Sequence, residues 1–285
     1  MELANSTARV GAMDQQARQL HLTAVAALHR VGGVPWYDSR FLRMFEAAKL
    51  FLASVRPEAL DRFVAAFDPL RTRASFKVAE LSEVFSPDVF HRLRECVAQL
   101  DRDSLETHER DSFGRLVLHD DPWFTQLQAD MTARVAALAG EALVSSYNFL
   151  SLYADDGRCE PHMDEPEAKW TLDICIDQSA EWPIFVSQPV AWPDHAAMRG
   201  FSAEGVQNDP ALHFQPKVLR PNDAILFAGS SQWHYRQPIA PGNHCNLLFF
   251  HYRPAGCEEL IRPKLWAEHF ALPELEVLAE LGAMR

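Results

Sequence analysis

The sequence lacks the features that would place a 285-residue chain in a membrane, outside the cell or on nucleic acid. It has no basic stretch followed by an apolar run near its start, and no segment approaches eighteen uninterrupted apolar residues. Basic residues are in deficit, with 27 Lys and Arg against 39 Asp and Glu, which argues against a nucleic-acid backbone or an anionic membrane as the main partner. We therefore predict a cytoplasmic protein.

Cysteine is scarce and forms no motif. The five cysteines are an odd number and widely spaced, and they include no CxxC pair, so neither a disulfide framework nor a zinc knuckle is indicated. Internal repeats and low-complexity stretches are also missing from the sequence. The remaining composition, 48% hydrophobic and 23% charged, is that of an ordinary globular protein.

The first part of the chain reads as helices. Predicted breaks at Gly32-Gly33-Val34-Pro35 and at Arg56-Pro57 interrupt it. Between these breaks, apolar residues recur at the spacing of one helical face: Phe41, Met44, Phe45, Ala48 and Leu52. The sequence therefore predicts a helical N-terminal extension over residues 1–72, whose apolar helices suit either a domain wall or a homodimer contact.

Short strands replace helices in the second half. Two helices with an N-cap residue before proline, at Ser86-Pro87 and Asp121-Pro122, precede them. From Leu143 onward, short β-type runs alternate with turn signals, which predicts an α+β fold with a sandwich or small barrel in residues 73–257 and a helical tail in 258–285. The long irregular stretch 192–214 is predicted to be a functional loop or lid.

Two histidines and an aspartate form the strongest chemical pattern in this half. His162 and Asp164 stand in an HxD spacing, and alternation along an extended strand points both side chains to one side. His234 follows another predicted strand. Two imidazoles and a carboxylate without a thiolate suit a non-haem Fe(II) site with open positions better than a structural zinc site. HxD alone often arises by chance, so its context decides the interpretation.

That context consists of three segments in a fixed order. Residues 147–153 precede the Asp156-Gly157 turn and the box 161–165, residues 219–229 lead to His234, and residues 242–250 form a closing strand. Together they resemble the Fe(II)/2-oxoglutarate-dependent dioxygenase superfamily, in its prolyl-hydroxylase-like branch, over roughly 85–253. The resemblance implies a double-stranded β-helix, or cupin-like jelly roll, with buttressing helices. It also implies that His162, Asp164 and His234 hold catalytic Fe(II), with 2-oxoglutarate and O2 as cosubstrates.

The resemblance further implies a basic residue on the closing strand that neutralises the distal carboxylate of 2-oxoglutarate. The matching position, ten residues after His234, holds His244. Arg236 is an alternative cation, on the same side of its strand as His234 by alternation, although a structural role also fits it. Tyr153 matches a phenol that hydrogen-bonds the keto acid, or a core residue. Asn246 matches the polar partner of the usual cation, or an inward polar residue bonded to backbone.

The function that follows is hydroxylation or other oxidation, such as desaturation, of an unactivated C–H bond, with succinate and CO2 as coproducts. The substrate class stays open between a small molecule and an amino acid or peptide. Two alternatives remain: a cupin-like non-haem iron enzyme that does not use 2-oxoglutarate, which the missing closing-strand arginine would explain, and a non-catalytic β-sandwich binding protein.

Overall fold

The computed structural model describes residues 2–32 and 39–283, so the predicted break at Gly33-Val34-Pro35 lies outside the described residues. Its helices, in chain order, are α1 (Glu2–Gly32), α2 (Arg40–Val55), α3 (Pro57–Ala65), α4 (Pro87–Gln99), α5 (Arg110–Phe113), α6 (Pro122–Ala139), α7 (His195–Met198), α8 (Ala203–Gln207), α9 (Trp266–His269) and α10 (Glu274–Ala283). Its strands are β1 (Ala79–Leu81), β2 (Arg115–His119), β3 (Leu143–Tyr153), β4 (Cys159–His162), β5 (Trp170–Gln178), β6 (Ile184–Val186), β7 (Gln215–Lys217), β8 (Ala224–Phe227), β9 (His234–Arg236) and β10 (Cys245–Pro254).

The chain divides into two compact units. Unit 1 comprises Met1–Pro69, Trp192–Phe201 and Gly256–Arg285, and unit 2 comprises Leu70–Ala191 and Ser202–Ala255. The predicted division at residues 72 and 257 stays a prediction. The predicted loop 192–214 contains α7 and α8, and its first ten residues belong to unit 1. Within the described part of the chain, no helix combines the length and the apolar character needed to span a bilayer.

Unit 1 is held by aromatic side chains from three separate stretches of sequence. Edge-to-face contacts at centroid distances between 4.8 and 6.0 Å link these rings: Phe41, Phe45, Phe63, Phe67, Trp192, Trp266 and Phe270. Beside them, the buried carboxylate of Glu46 contacts His195 Nδ1 at 2.7 Å and Lys49 Nζ at 2.5 Å. A buried carboxylate needs such partners, and here they fasten the 192–201 stretch to α2.

Unit 2 contains two antiparallel sheets. One has the strand order β1-β8-β5-β10-β3-β2, and the other has the order β4-β9-β6-β7. From β3 to β6, and again from β7 to β10, consecutive strands alternate between the two sheets, as in a double-stranded β-helix, so the predicted α+β jelly-roll fold is confirmed. The pairing of β4 with β9 sets His162 opposite His234.

The larger sheet separates an apolar face from a polar one. Along β5, Leu172 and Ile174 belong to the core packed against α4 and α6, whereas Thr171 and Asp173 alternate with them on the other face. Helices α4 and α6 begin where the sequence predicts. The Ser86 hydroxyl accepts a hydrogen bond from Val89 N at the start of α4, and the Asp121 carboxylate caps α6.

Candidate metal centre

The end of β4 and the start of β9 bring three ligand-type side chains together. His162 Nε2 and His234 Nε2 each lie 3.6 Å from Asp164 Oδ1, and the three ligand atoms lie within 4.8 Å of one another. Both histidines are buried, and Asp164 is partly buried. The register between β4 and β9 produces this grouping, since it joins residues 72 positions apart in sequence. Two imidazoles and one carboxylate, without a thiolate among the ligands, fit Fe(II).

Each imidazole is oriented by a backbone carbonyl. His162 Nδ1 lies 2.9 Å from the carbonyl oxygen of Glu160, and His234 Nδ1 lies 3.0 Å from that of Gln232. A carbonyl oxygen only accepts hydrogen bonds, so Nδ1 is the protonated nitrogen in both rings. The Nε2 atoms are therefore directed toward Asp164 as potential metal ligands, which is the usual arrangement around a ligating histidine.

Asp164 is positioned as tightly as the histidines. Its Oδ2 accepts a hydrogen bond from Thr171 Oγ1 at 2.7 Å, and its backbone N–H donates to the Gly229 carbonyl at 2.9 Å. A Cβ atom on Gly229 would lie 2.1 Å from Asp164 Oδ2 and 2.6 Å from Thr171 Oγ1. Only glycine leaves room for the carboxylate in this position.

The charges of His162, Asp164 and His234 compensate one another. Burial by itself would raise the pKa of Asp164, but His234 and His162 hold that pKa well below its ordinary value. Burial would also lower the pKa of His162, whereas Cys159 and Asp164 raise it well above its ordinary value. Asp164 is therefore ionised at neutral pH, as a metal ligand must be.

A second charged group lies two residues beyond His234. Arg236 is buried, and its Nη2 donates to Asp173 Oδ2 at 2.6 Å, while its Nη1 donates to the Trp182 carbonyl. Its guanidinium also lies 5.0 Å from the centroid of the Trp182 ring. Asp173 is fully buried, and its Oδ1 has no hydrogen-bond partner among the described residues. Burial raises the pKa of Asp173, although Arg236 opposes that shift.

Arg115 on β2 is a charged residue that the sequence did not reveal. Its Nη1 donates to the Tyr153 hydroxyl at 2.6 Å, and its Nε pairs with Glu109. The guanidinium lies 4.5 Å from the centroid of Phe113, whose ring in turn contacts the ring of His162. Burial raises the pKa of Tyr153, so the phenol is neutral and its own O–H is available to donate. Arg115 stands in a five-residue strand without a recognisable motif.

His244 and Asn246 lie elsewhere. His244 is exposed, precedes β10 and contacts Asp177 Oδ2 through Nε2 at 2.9 Å. Because side chains alternate along β10, Asn246 lies on the same face as Leu248 and Phe250, which belong to the core beneath the helices. Asn246 also lines a surface cavity together with Val97 of α4. The structure thus brings Arg236 and Tyr153 to the polar face of the sheets and leaves His244 and Asn246 on the other side.

The buried His251, on the polar face of the larger sheet, makes the stability of the chain depend on pH. Burial lowers the pKa of His251 to about 4, although Asp164 opposes the shift, and its ring stacks on Tyr147 at 4.3 Å. Below pH 6.5 the unfolded chain takes up a proton here that the folded chain does not. We therefore expect the free energy of unfolding of the wild type to fall as the pH drops from 6.5 toward 4. This decrease should be up to about 3 kcal/mol larger than the decrease in His251→Phe over the same pH range.

Denaturant unfolding at several pH values measures this difference. His91→Phe, at an exposed site on α4, is the control and should keep the wild-type slope. Parallel pH profiles for wild type and His251→Phe would contradict the assignment of a neutral buried imidazole.

Comparison with known proteins supports the fold. No protein-family model matches the chain, and no curated protein matches it in a sequence search. Among solved structures, HygX from Streptomyces hygroscopicus with nickel and 2-oxoglutarate bound is similar with a TM-score of 0.50 and 14% identity, over 68% of this chain and 86% of HygX. AviO1 from Streptomyces viridochromogenes Tue57 (TM-score 0.49, 16% identity, 68% and 95% covered) and apo EctD from S. alaskensis (0.49, 15%, 68% and 76%) are also similar. The match to HygX confirms the jelly-roll fold.

Proposed function

We propose that the chain is a non-haem Fe(II)- and 2-oxoglutarate-dependent oxygenase. The observation that carries the proposal is the buried cluster of His162, Asp164 and His234, in which both Nε2 atoms are turned toward one carboxylate oxygen. The structure of HygX with nickel and 2-oxoglutarate shows that this fold accommodates a divalent metal and the keto acid together. Bound at the triad, iron and 2-oxoglutarate would supply oxidation of a C–H bond by O2, with succinate and CO2 as coproducts.

Residues around the triad orient its three side chains. Glu160 and Gln232 fix the two imidazoles through their carbonyl oxygens, and Thr171 fixes the carboxylate of Asp164. These contacts hold the three ligands on one side, so the opposite side is left for the cosubstrate, O2 and substrate. The retained carboxylate of Asp164 favours hydroxylation or desaturation over halogenation, because it occupies the position that a halide would need.

Arg236 and Tyr153 are the residues that we propose for the distal carboxylate of 2-oxoglutarate. Arg236 offers a buried guanidinium on the same strand face as His234, and Tyr153 offers an O–H for which residues 2–32 and 39–283 provide no acceptor. Arg115 holds the Tyr153 hydroxyl and strengthens its ability to donate. His244 is exposed and bonded to Asp177, so we do not propose it for this carboxylate.

We propose a small molecule or an amino-acid or peptide side chain as the primary substrate, to be identified by screening for succinate formation.

One observation favours the second candidate, a cupin-like iron enzyme without 2-oxoglutarate. Both arginines near the polar face already have carboxylate partners, Arg236 with Asp173 and Arg115 with Glu109. Titration of the anaerobic Fe(II) protein with 2-oxoglutarate separates the candidates, because the chelate gives a weak visible charge-transfer band that the second candidate would not show.

The metal site is tested by His234→Ala. Removal of one of three ligands should abolish stoichiometric binding of Fe(II) or Ni(II), measured by calorimetry and by metal analysis of the purified protein. His91→Phe on the surface of α4 should bind metal as the wild type does. Retention of one tightly bound ion by His234→Ala would contradict the assignment of the triad, as would a wild type that binds none.

A further inference from the structure

An exposed cavity at the end of the larger sheet has a cationic lining. Its volume is about 140 Å³, and it lies where β2 begins, β3 ends and β10 begins. Its lining contains no Asp or Glu among the following residues: Arg102, Arg110, Gly114, Arg115, Leu116, Leu152, Tyr153, Ala154, His244 and Asn246. Such a lining is unexpected in a chain with a formal charge of -12.

Two of the arginines in this cavity have their charged groups available. The side chains of Arg102 and Arg110 are exposed and form no hydrogen bond or ion pair within residues 2–32 and 39–283. Both begin short helical turns on the segment that leads into β2. Arg94 and Arg56, by contrast, each pair with a carboxylate, Arg94 with Asp177 and Arg56 with Glu274. Arg102 and Arg110 are therefore the cations in this region that an external anion reaches without displacing an internal partner.

The other side of the cavity is formed by the closing strand. His244 and Asn246, which the sequence suggested for the cosubstrate, line this cavity. His244 contacts Asp177 through its Nε2. The Asn246 amide has two donors and one acceptor to offer. The free donors around the cavity therefore come from both sides, two guanidinium groups from one side and the Asn246 amide from the other.

We propose that this cavity binds an oxyanionic group, a phosphoryl or carboxylate group of a small molecule. Guanidinium groups pair with both in a bidentate way, and their charge-assisted hydrogen bonds are stronger than neutral ones. The cavity is smaller than the 300–1,000 Å³ typical of sites that enclose a whole drug-sized ligand, so it fits a terminal anionic group or a small ion. The three residues of the metal cluster do not line this cavity, although Tyr153 belongs both to its lining and to the proposed 2-oxoglutarate site.

Titration of the full chain with inorganic phosphate, and separately with acetate, tests the proposal by calorimetry and by NMR of backbone amides at constant ionic strength. Inorganic phosphate represents the phosphoryl source, and acetate represents the carboxylate source. We expect saturable binding of at least one of them, with shifts at Arg110 and Asn246. The double variant Arg102→Gln/Arg110→Gln should weaken this binding at least about tenfold, as expected for the loss of two charge-assisted hydrogen bonds.

The control removes the same charge elsewhere. Arg199→Gln/Arg220→Gln changes two exposed arginines outside the cavity and should leave the affinity unchanged. His234→Ala, which removes the proposed metal site, should also bind the anion normally. The proposal is overturned if neither probe saturates, or if both double variants lose affinity equally, since equal losses indicate a general effect of net charge.

Discussion

Gly229→Ala is expected to weaken metal binding about 10- to 100-fold while the chain remains folded, since residues that position metal ligands typically contribute this much to affinity. The added Cβ would lie 2.1 Å from Asp164 Oδ2 and 2.7 Å from the Ala168 carbonyl oxygen, distances at which atoms cannot remain. The carboxylate must then turn away from His162 and His234. Calorimetry with Ni(II) gives the affinity, and thermal unfolding reports whether the fold is kept.

Gly200→Ala is the matched control for this prediction. No atom lies within 4 Å of the Cβ that the substitution adds, and Gly200 does not have a positive φ. We expect its metal affinity and unfolding temperature to equal those of the wild type. Unchanged metal binding by Gly229→Ala would show that Asp164 is not a ligand, or that its position is far less constrained than its contacts with Thr171 and Gly229 indicate.

Substitutions in the Arg236–Asp173 pair should change 2-oxoglutarate affinity in opposite directions. Arg236→Gln removes the proposed cation and should weaken binding about 10- to 100-fold, the value of a hydrogen bond between charged groups. Asp173→Asn keeps the shape of the side chain but removes the negative charge that now occupies Arg236 Nη2. It should tighten binding, because the distal carboxylate no longer competes with an internal anion.

Both affinities are measured by anaerobic titration of the metal-loaded protein, with the charge-transfer band and calorimetry as readouts. His244→Gln, which changes an exposed residue paired with Asp177, is the control and should bind 2-oxoglutarate as the wild type does. If Asp173→Asn weakens binding as much as Arg236→Gln, the pair acts as a structural unit. If His244→Gln alone weakens it, the position suggested by the closing-strand spacing holds the cosubstrate.

The sequence predicted the jelly roll and grouped the three candidate ligand residues because both depend on local patterns. HxD places two side chains on one side of a strand end whatever the rest of the chain does, and a strand with alternating polarity has an inner and an outer face. The alternation of Leu172 and Ile174 with Thr171 and Asp173 is visible in the sequence and distinguishes the two faces of β5, although it does not indicate that Asp173 pairs with Arg236.

The interpretation of the closing strand depended on counting residues, and counting does not fix which face a residue occupies. The register between β10 and β5 shifts between Asn246 and Leu247, and His244 precedes the strand. A displacement of one residue moves a side chain to the opposite face, so a position ten after His234 carries no reliable orientation. Arg115 could not be found for a related reason, because only the pairing of β2 with β3 places it opposite Tyr153.

Unit 1 also has a consequence for the order in which the chain acquires its structure. The rings of Phe41, Phe45 and Phe63 pack against Trp266, Phe270 or Trp192, which are synthesised more than a hundred residues later. During translation the N-terminal helices therefore expose an aromatic surface until residues 256–285 have emerged. Contacts of such long sequence separation slow folding and leave apolar surface open to aggregation, so unit 1 should complete its folding last.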